Sequence, residues 1–247
     1  MIYNYKIKII YKGQYFSGWQ LNPGSITIQE TLEKAIGQAH NKDFIRIYGA
    51  SRTDGGVHSY GQVANFFSDK LWNLIQLKKA INFYLNNNEI LIDNVELVDN
   101  EFNSRYDAQG KIYKYQIYLG QFINPFDNDY YWIWPKTIDE NKLKKSCTMI
   151  ENCDNLNGFA HWNQILKNPY TIQKIYYEIN NNKLIITFQG KGFFYNEIRF
   201  LVGHIIYYSS GMMDENKFLM AFNGKPNPYY KKILAPAKGL FLMEVIY

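Results

Sequence analysis

The stretch Ser51-Arg52-Thr53-Asp54-Gly55-Gly56-Val57-His58 stands between two runs with β-type alternation, Phe44-Ile45-Arg46-Ile47-Tyr48 before it and Tyr60-Gly61-Gln62-Val63-Ala64-Asn65-Phe66-Phe67 after it. It therefore reads as a loop joining strands, in a fold built of strand pairs. Gly55 and Gly56 give backbone freedom denied to other residues and let a large ligand approach the main chain. An Asp-Gly pair is also a common hairpin signal, and its Asp often only caps its own turn. Turn formation requires neither Arg52 nor His58, however. A cation two residues before Asp54 favours an ionised carboxylate, and an ionised carboxylate attacks carbon. Asp54 is the candidate nucleophile.

Working outward, residues 3–11 alternate as a strand with Tyr3, Tyr5, Ile7, Ile9 and Tyr11 on one face. Thr27-Ile28-Gln29-Glu30 is a capping box, and Ile28, Leu32, Ala35, Ile36 and Ala39 form the apolar stripe of a helix ending near His40. Asp69 is placed to cap a second helix carrying Leu71, Leu74, Ile75, Lys78, Ile81 and Leu85, and residues 90–98 read as another strand. The second half repeats this logic: strands at 111–119, 171–179 and 184–189, a capping box at Thr137-Ile138-Asp139-Glu140, helices at 194–208 and 214–222, and a closing strand at 240–246.

Two β-α-β-β-α-β-like halves, 1–104 and 105–247, predict an α+β fold of two ferredoxin-like (RRM-like) halves. Their antiparallel sheets are expected to join around a central cleft that holds the ligand.

Composition narrows the function classes. Hydrophobic residues make up 47% and aromatics 17%, which excludes a disordered chain. A net charge of +5 is compatible with a polyanionic partner. Two cysteines, Cys147 and Cys153, are too few for a disulfide scaffold or a cysteine zinc site and suit a reducing compartment. No leader-like or membrane-length apolar run is present, so a soluble cytoplasmic protein is expected. His40, His58, His161 and His204 have no metal-ligand spacing, and no phosphate-cradling glycine loop occurs. The chemistry expected is free of metal and cofactor.

Three further features bear on a site. Tyr113 and Tyr115 interleave with Lys111 and Lys114 on a strand, a pattern of sheet-surface aromatics and also of platforms for single-stranded RNA. Arg105 in Phe102-Asn103-Ser104-Arg105-Tyr106-Asp107 is either a surface cation or a phosphate contact. Arg199 lies within an apolar helical stretch and calls for a carboxylate, Glu197 or Asp54; the i,i+2 spacing of Glu197 on a helix favours the more distant one. The loop from Gly13 to Gln20, with Phe16 and Trp19, is a hydrophobic plug or an RNA contact.

Taken together, the residues resemble the TruA family of tRNA pseudouridine synthases over almost the whole chain. The family's opening is matched by Tyr11, Gly13, Phe16, Gly18, Trp19 and Gln20, and its catalytic loop by Arg52, Thr53, Asp54, Gly56, Val57, His58, Gly61, Gln62 and Val63. Its later motifs are matched by Phe102, Arg105, Tyr106, Ala108, Tyr113 and Tyr115, then by Phe194, Ile198, Arg199, Leu201, Val202 and Gly203. Departures are Ser51, Gly55, Asn103, Ile112 and the run Tyr195-Asn196-Glu197.

The resemblance implies conversion of uridines 38, 39 and 40 of the tRNA anticodon stem-loop to pseudouridine, without cofactor, by a homodimer. It implies Asp54, Tyr113 and Arg199 as catalytic residues and Arg52, Thr53, Gly56, His58, Arg105 and Tyr113 as substrate contacts. Arg52 would fill the space left by a flipped uridine, and Tyr113 would stack on its uracil. A non-catalytic RNA-binding module or tRNA chaperone of the same fold is the alternative. A glycoside hydrolase would need a second acid beside Asp54, and no recognisable motif supplies one.

Overall fold

The structure, a computed structural model, describes residues 1–86, 88–159, 172–223 and 233–247. Its strands are β1 (Tyr3–Tyr11), β2 (Tyr48–Gly49), β3 (His58–Ser68), β4 (Ile90–Val98), β5 (Gly110–Tyr118), β6 (Trp132–Ile133), β7 (Ile172–Asn180), β8 (Lys183–Gly190) and β9 (Leu240–Ile246). Its helices are α1 (Ile28–Ala39), α2 (Leu74–Leu85), α3 (Glu140–Glu151), α4 (Glu197–Ser209) and α5 (Glu215–Met220). The class is α+β with mostly antiparallel pairing, and the chain forms two compact units: residues 1–109 with 241–247, and residues 110–240.

In the first unit, β1 is central, with β4 on one side and β3 on the other, both antiparallel. The odd-numbered residues of β1 pack inward: Tyr5, Ile7, Ile9 and Tyr11 join Ile28, Leu32 and Ile36 of α1 and Leu77 and Ile81 of α2 in one core. The period-two stripe of the strand thus meets the period-3.6 stripes of two helices. Thr27 caps α1 by accepting the Glu30 N–H, as the sequence predicts, while the Glu30 carboxylate takes Lys34 at 2.6 Å. The cap of α2 is Asn73, which accepts the N–H groups of Ile75 and Gln76; Asp69 instead pairs with Lys42. Of the strand expected at 44–48, just Tyr48 pairs with β3. The Ile45 N–H goes to the Glu33 carbonyl and the Ile47 N–H to the Glu33 carboxylate, so the segment is tied to α1 and its alternation records burial alone.

The second unit pairs β5 with β8 and β8 with β7, all antiparallel; Asn181 and Asn182, at φ +47° and +62°, make the two-residue turn between β7 and β8. Helix α3 packs on α4 and β7. The α3 cap is Asp139, which accepts from Asn141 and Lys142, instead of Thr137 of the expected box. Helix α4 begins at Glu197, later than the expected 194, because Asn196 stands at φ +61°, outside right-handed helical backbone, while the Glu197 carboxylate accepts the Phe194 N–H. Two short pairings are parallel, against the all-antiparallel expectation: β5 with β6, and β3 with β9. The latter places residues 241–247 in the first unit. Among the described residues no helix is long and apolar enough to cross a membrane.

Candidate active site

Asp54 sits on a loop whose ends are fixed by buried side chains. Before it, the Ser51 carbonyl accepts the Gln62 side-chain amide at 2.7 Å, and the Ala50 N–H reaches the Val63 carbonyl at 2.8 Å. After it, the Val57 N–H returns to the Asp54 carbonyl at 3.2 Å, closing a turn in which Gly56 has φ +84°. A side chain at that φ is strained, which accounts for glycine there. Asp54 itself is half-buried and Arg52 exposed. Among the described residues Arg52 enters no ion pair.

A second loop supports the first. Gly13 donates its N–H to His58 Nδ1 at 3.2 Å, so that nitrogen is unprotonated and His58 is neutral, with its ring stacked on Phe241 at 4.7 Å. The Trp19 N–H donates to the Thr53 carbonyl at 3.0 Å, and the Thr53 and Tyr11 hydroxyls share a hydrogen bond of 2.8 Å. Gly13 is required by a close approach: a Cβ there would lie 1.9 Å from the Val57 carbonyl oxygen. Phe16 and Trp19 are buried, so of the two readings of this loop the apolar plug describes its aromatics. Removing a buried side chain of this size costs about 3–5 kcal/mol. Thr53 and His58 are likewise buried and make these supporting contacts, while Asp54 and Gly56 retain partial exposure.

Arg105 is exposed on a separate turn of the first unit, its guanidinium 5.7 Å from the Tyr106 ring centroid. Asn103 makes this turn, since its Oδ1 accepts the N–H groups of Arg105 and Tyr106 at 3.0 and 3.2 Å.

Tyr113 and Arg199 belong to the second unit. Tyr113, on β5 opposite Phe188, is 5% exposed and meets Phe193 edge to face at 5.2 Å. Tyr115 is fully buried, donates to the Pro236 carbonyl at 2.6 Å, and has its phenol pKa pushed well up by burial. Arg199 donates Nε to the Ala235 carbonyl and Nη1 to Asn196 Oδ1, both at 2.8 Å. Glu197 is turned to the Phe194 N–H at 2.8 Å, and burial lifts its carboxyl to about 8. Sequence reasoning did not name Asn196 among the partners of Arg199. Its signal was an Asn preceding the helix, here at φ +61°, in the left-handed region that Asn tolerates.

Cys147 is buried and its thiol is pushed up to about 12 by desolvation, which makes it inert. His161 lies outside the described residues. Among the described residues no three metal-ligating side chains cluster.

Comparison with known proteins bears on these motifs. The family model for tRNA pseudouridine synthase matches residues 9–107 and 158–247. The chain is 33% identical over 251 residues to tRNA pseudouridine synthase A of Latilactobacillus sakei, covering 100% of both chains. It is 35% identical over 254 residues to the protein of that name from Oenococcus oeni, covering 99% of this chain and 98% of that one. Against tRNA pseudouridine synthase A 1 of Protochlamydia amoebophila the identity is 33%, over 98% of this chain and 96% of the other. Among solved structures, a chain of the archaeal box H/ACA sRNP Nop10-Cbf5 complex aligns with 94% of this chain and 61% of its own at TM-score 0.37 and 11% identity, too distant to bear on the site. By the family match and the identity over nearly its full length, the chain belongs to the tRNA pseudouridine synthase family, with the relatives named tRNA pseudouridine synthase A.

Proposed function

We propose that this protein isomerises uridines 38, 39 and 40 of the tRNA anticodon stem-loop to pseudouridine, with Asp54 as nucleophile. The observation that carries this reading is the setting of Asp54: a half-exposed carboxylate on a glycine turn whose flanks are locked by buried groups on both sides. A nucleophile held this way keeps its geometry when a large substrate arrives.

In the proposed reaction Asp54 attacks the target nucleotide and the bond from uracil N1 to the ribose C1′ breaks. The uracil then turns, its C5 bonds to C1′ as the bond to the Asp54 carboxylate breaks and the carboxylate is released, the C5 proton leaves and N1 takes up a proton. Product and substrate are isomers, so no redox partner or cofactor is consumed. Extruding a stacked uridine costs a few kcal/mol; Arg52, exposed beside Asp54, is proposed to occupy the vacated space. Tyr113 stacks on the uracil and serves the C5 proton transfer, and Arg199 supplies the positive charge that keeps the working carboxylate ionised. Thr53, Gly56 and His58 shape the loop against the nucleotide, and Arg105 takes a backbone phosphate. The wider reading comprises two ferredoxin-like halves around an RNA cleft, a homodimer and a cytoplasmic location; it rests on the family resemblance and the strand pattern.

Tritium release from tRNA labelled at uracil C5 tests the proposal. The wild-type protein should release tritium, and Asp54→Asn should bind tRNA and release none. Full release by Asp54→Asn overturns the role of Asp54. Tight tRNA binding without release by the wild type would make the chain an RNA-binding module.

A further inference from the structure

On the helix-free face of the first sheet, three polar side chains are buried completely: Asn4 of β1, Asn65 of β3 and Ser104 of the loop after β4. Burying an amide is unfavourable unless its donors and acceptors are all used, so such a cluster implies a demand for fixed geometry. Its bonds converge on one segment. Asn4 Nδ2 donates to the carbonyls of Asp99 and Phe102, each at 2.8 Å. Asn65 Nδ2 donates to Asn4 Oδ1 at 3.0 Å and Asn65 Oδ1 accepts the Ser104 N–H at 2.9 Å. The Ser104 hydroxyl donates to the Tyr48 carbonyl, and the Tyr247 hydroxyl to the Ser104 carbonyl at 2.8 Å.

The next residue is Arg105, exposed, and the one after it is Tyr106, 77% exposed. Their N–H groups are held by Asn103, whose own N–H is held by the Asp107 carboxylate at 2.8 Å. A cation on a free loop loses rotational freedom on meeting a phosphate, whereas one on a fixed turn has lost it already.

We propose that Asn4 and Asn65, with Asn103 as the turn former, are positioning residues that hold Arg105 at the place where the tRNA backbone passes. The inference rests on the reading of Arg105 as a phosphate contact. None of these asparagines touches substrate; they act through the main chain of residues 99–106.

The experiment measures kcat and KM for tRNA, and the salt dependence of tRNA binding, in Arg105→Ala, Asn65→Ala and the double variant. Arg105→Ala is expected to reduce the slope of log K against log salt by about 1 and to raise KM with kcat little changed. Asn65→Ala should reproduce both changes, with KM up roughly tenfold, and the double variant should be no worse than Arg105→Ala. Additive losses in the double variant, or an unmoved salt slope in Asn65→Ala while Arg105→Ala shifts it, would overturn the positioning role and leave the phosphate contact standing. An unmoved salt slope in Arg105→Ala itself removes the phosphate contact, and the inference with it. Should Asn65→Ala fail to fold, Asn103→Ala, outside the buried cluster, is read by the same three outcomes.

Discussion

The hydroxyls of Tyr11 and Thr53 lie 2.8 Å apart in the buried layer one residue from Asp54, so the strand that centres the first sheet also braces the candidate nucleophile. Tyr11→Phe deletes that brace and leaves the Thr53 hydroxyl without this partner. A stability loss of about 1–2 kcal/mol is expected in urea denaturation, with kcat reduced several-fold at nearly constant KM. An unchanged kcat would show that the main-chain clamp from Trp19 to Thr53 suffices.

The two glycines of the loop differ. At Gly55 an added Cβ would find its nearest neighbours, Phe16 O and the Ser17 carbonyl carbon, at 3.5 Å, ordinary van der Waals distance, whereas Gly56 has φ +84°. Gly55→Ala should therefore keep activity and gain about 0.4–1 kcal/mol by restricting the unfolded chain. Gly56→Ala should lose about 1–2 kcal/mol. Thermal melts of the two variants settle it, and a lower Tm for Gly55→Ala contradicts the geometry.

Tyr113→Phe keeps the ring against Phe193 and removes only the hydroxyl. Turnover should fall by about 10²-fold or more if that oxygen serves proton transfer, while tRNA affinity in a filter assay stays nearly constant. Full turnover would give Tyr113 a packing role alone.

Glu197 makes stability fall with alkali. Its carboxyl is raised from 4.5 to about 8 by burial, so the folded state holds a proton that the unfolded state has released. The stability this gives is complete below pH 4.5 and lost as pH rises through about 8. Glu197→Gln cannot ionise, still accepts the Phe194 N–H, and should be more stable than wild type at pH 7–8 by about 3–4 kcal/mol. Equal denaturation midpoints at pH 8 would refute this.

His204 acts at the acid end. Fully buried, with Nδ1 on the Phe200 carbonyl at 2.7 Å, it is lowered from 6.5 to about 4 by desolvation. The unfolded state then binds the extra proton, and stability drops as pH falls from 6.5 to about 4, by about 3 kcal/mol in all. His204→Asn, which cannot charge, should flatten this limb. Parallel wild-type and His204→Asn profiles between pH 7 and 4.5 would exclude it.

The strands and long helices were legible because their core faces repeat: every second residue of β1 from Tyr5 to Tyr11, and the stripe from Ile28 to Ile36 on α1, are buried. Less legible was competition for the same backbone groups. Asn73 took the cap expected of Asp69, Asp139 took that expected of Thr137, and Glu33 drew residues 45–47 to a helix. Each of these is a local contest between acceptors that composition does not rank. At the site, the Asp54 loop announced itself through its residue types, whereas its supports, Tyr11 and Gln62, matched family motifs but had no role assigned until the fold brought them to Thr53 and Ser51.

Strand β9 carries one more consequence. Phe241 stacks on His58, and the Leu242 carbonyl accepts the Ser59 hydroxyl across 183 residues of sequence. On the ribosome, the loop bearing Asp54 emerges early, yet the pieces that finish its bed are translated after the whole second unit. Closing a loop of that length costs on the order of 5 kcal/mol of chain entropy, which a nascent chain cannot recover before β9 arrives. The bed of the candidate nucleophile is thus complete only once β9 has docked against His58 and Ser59.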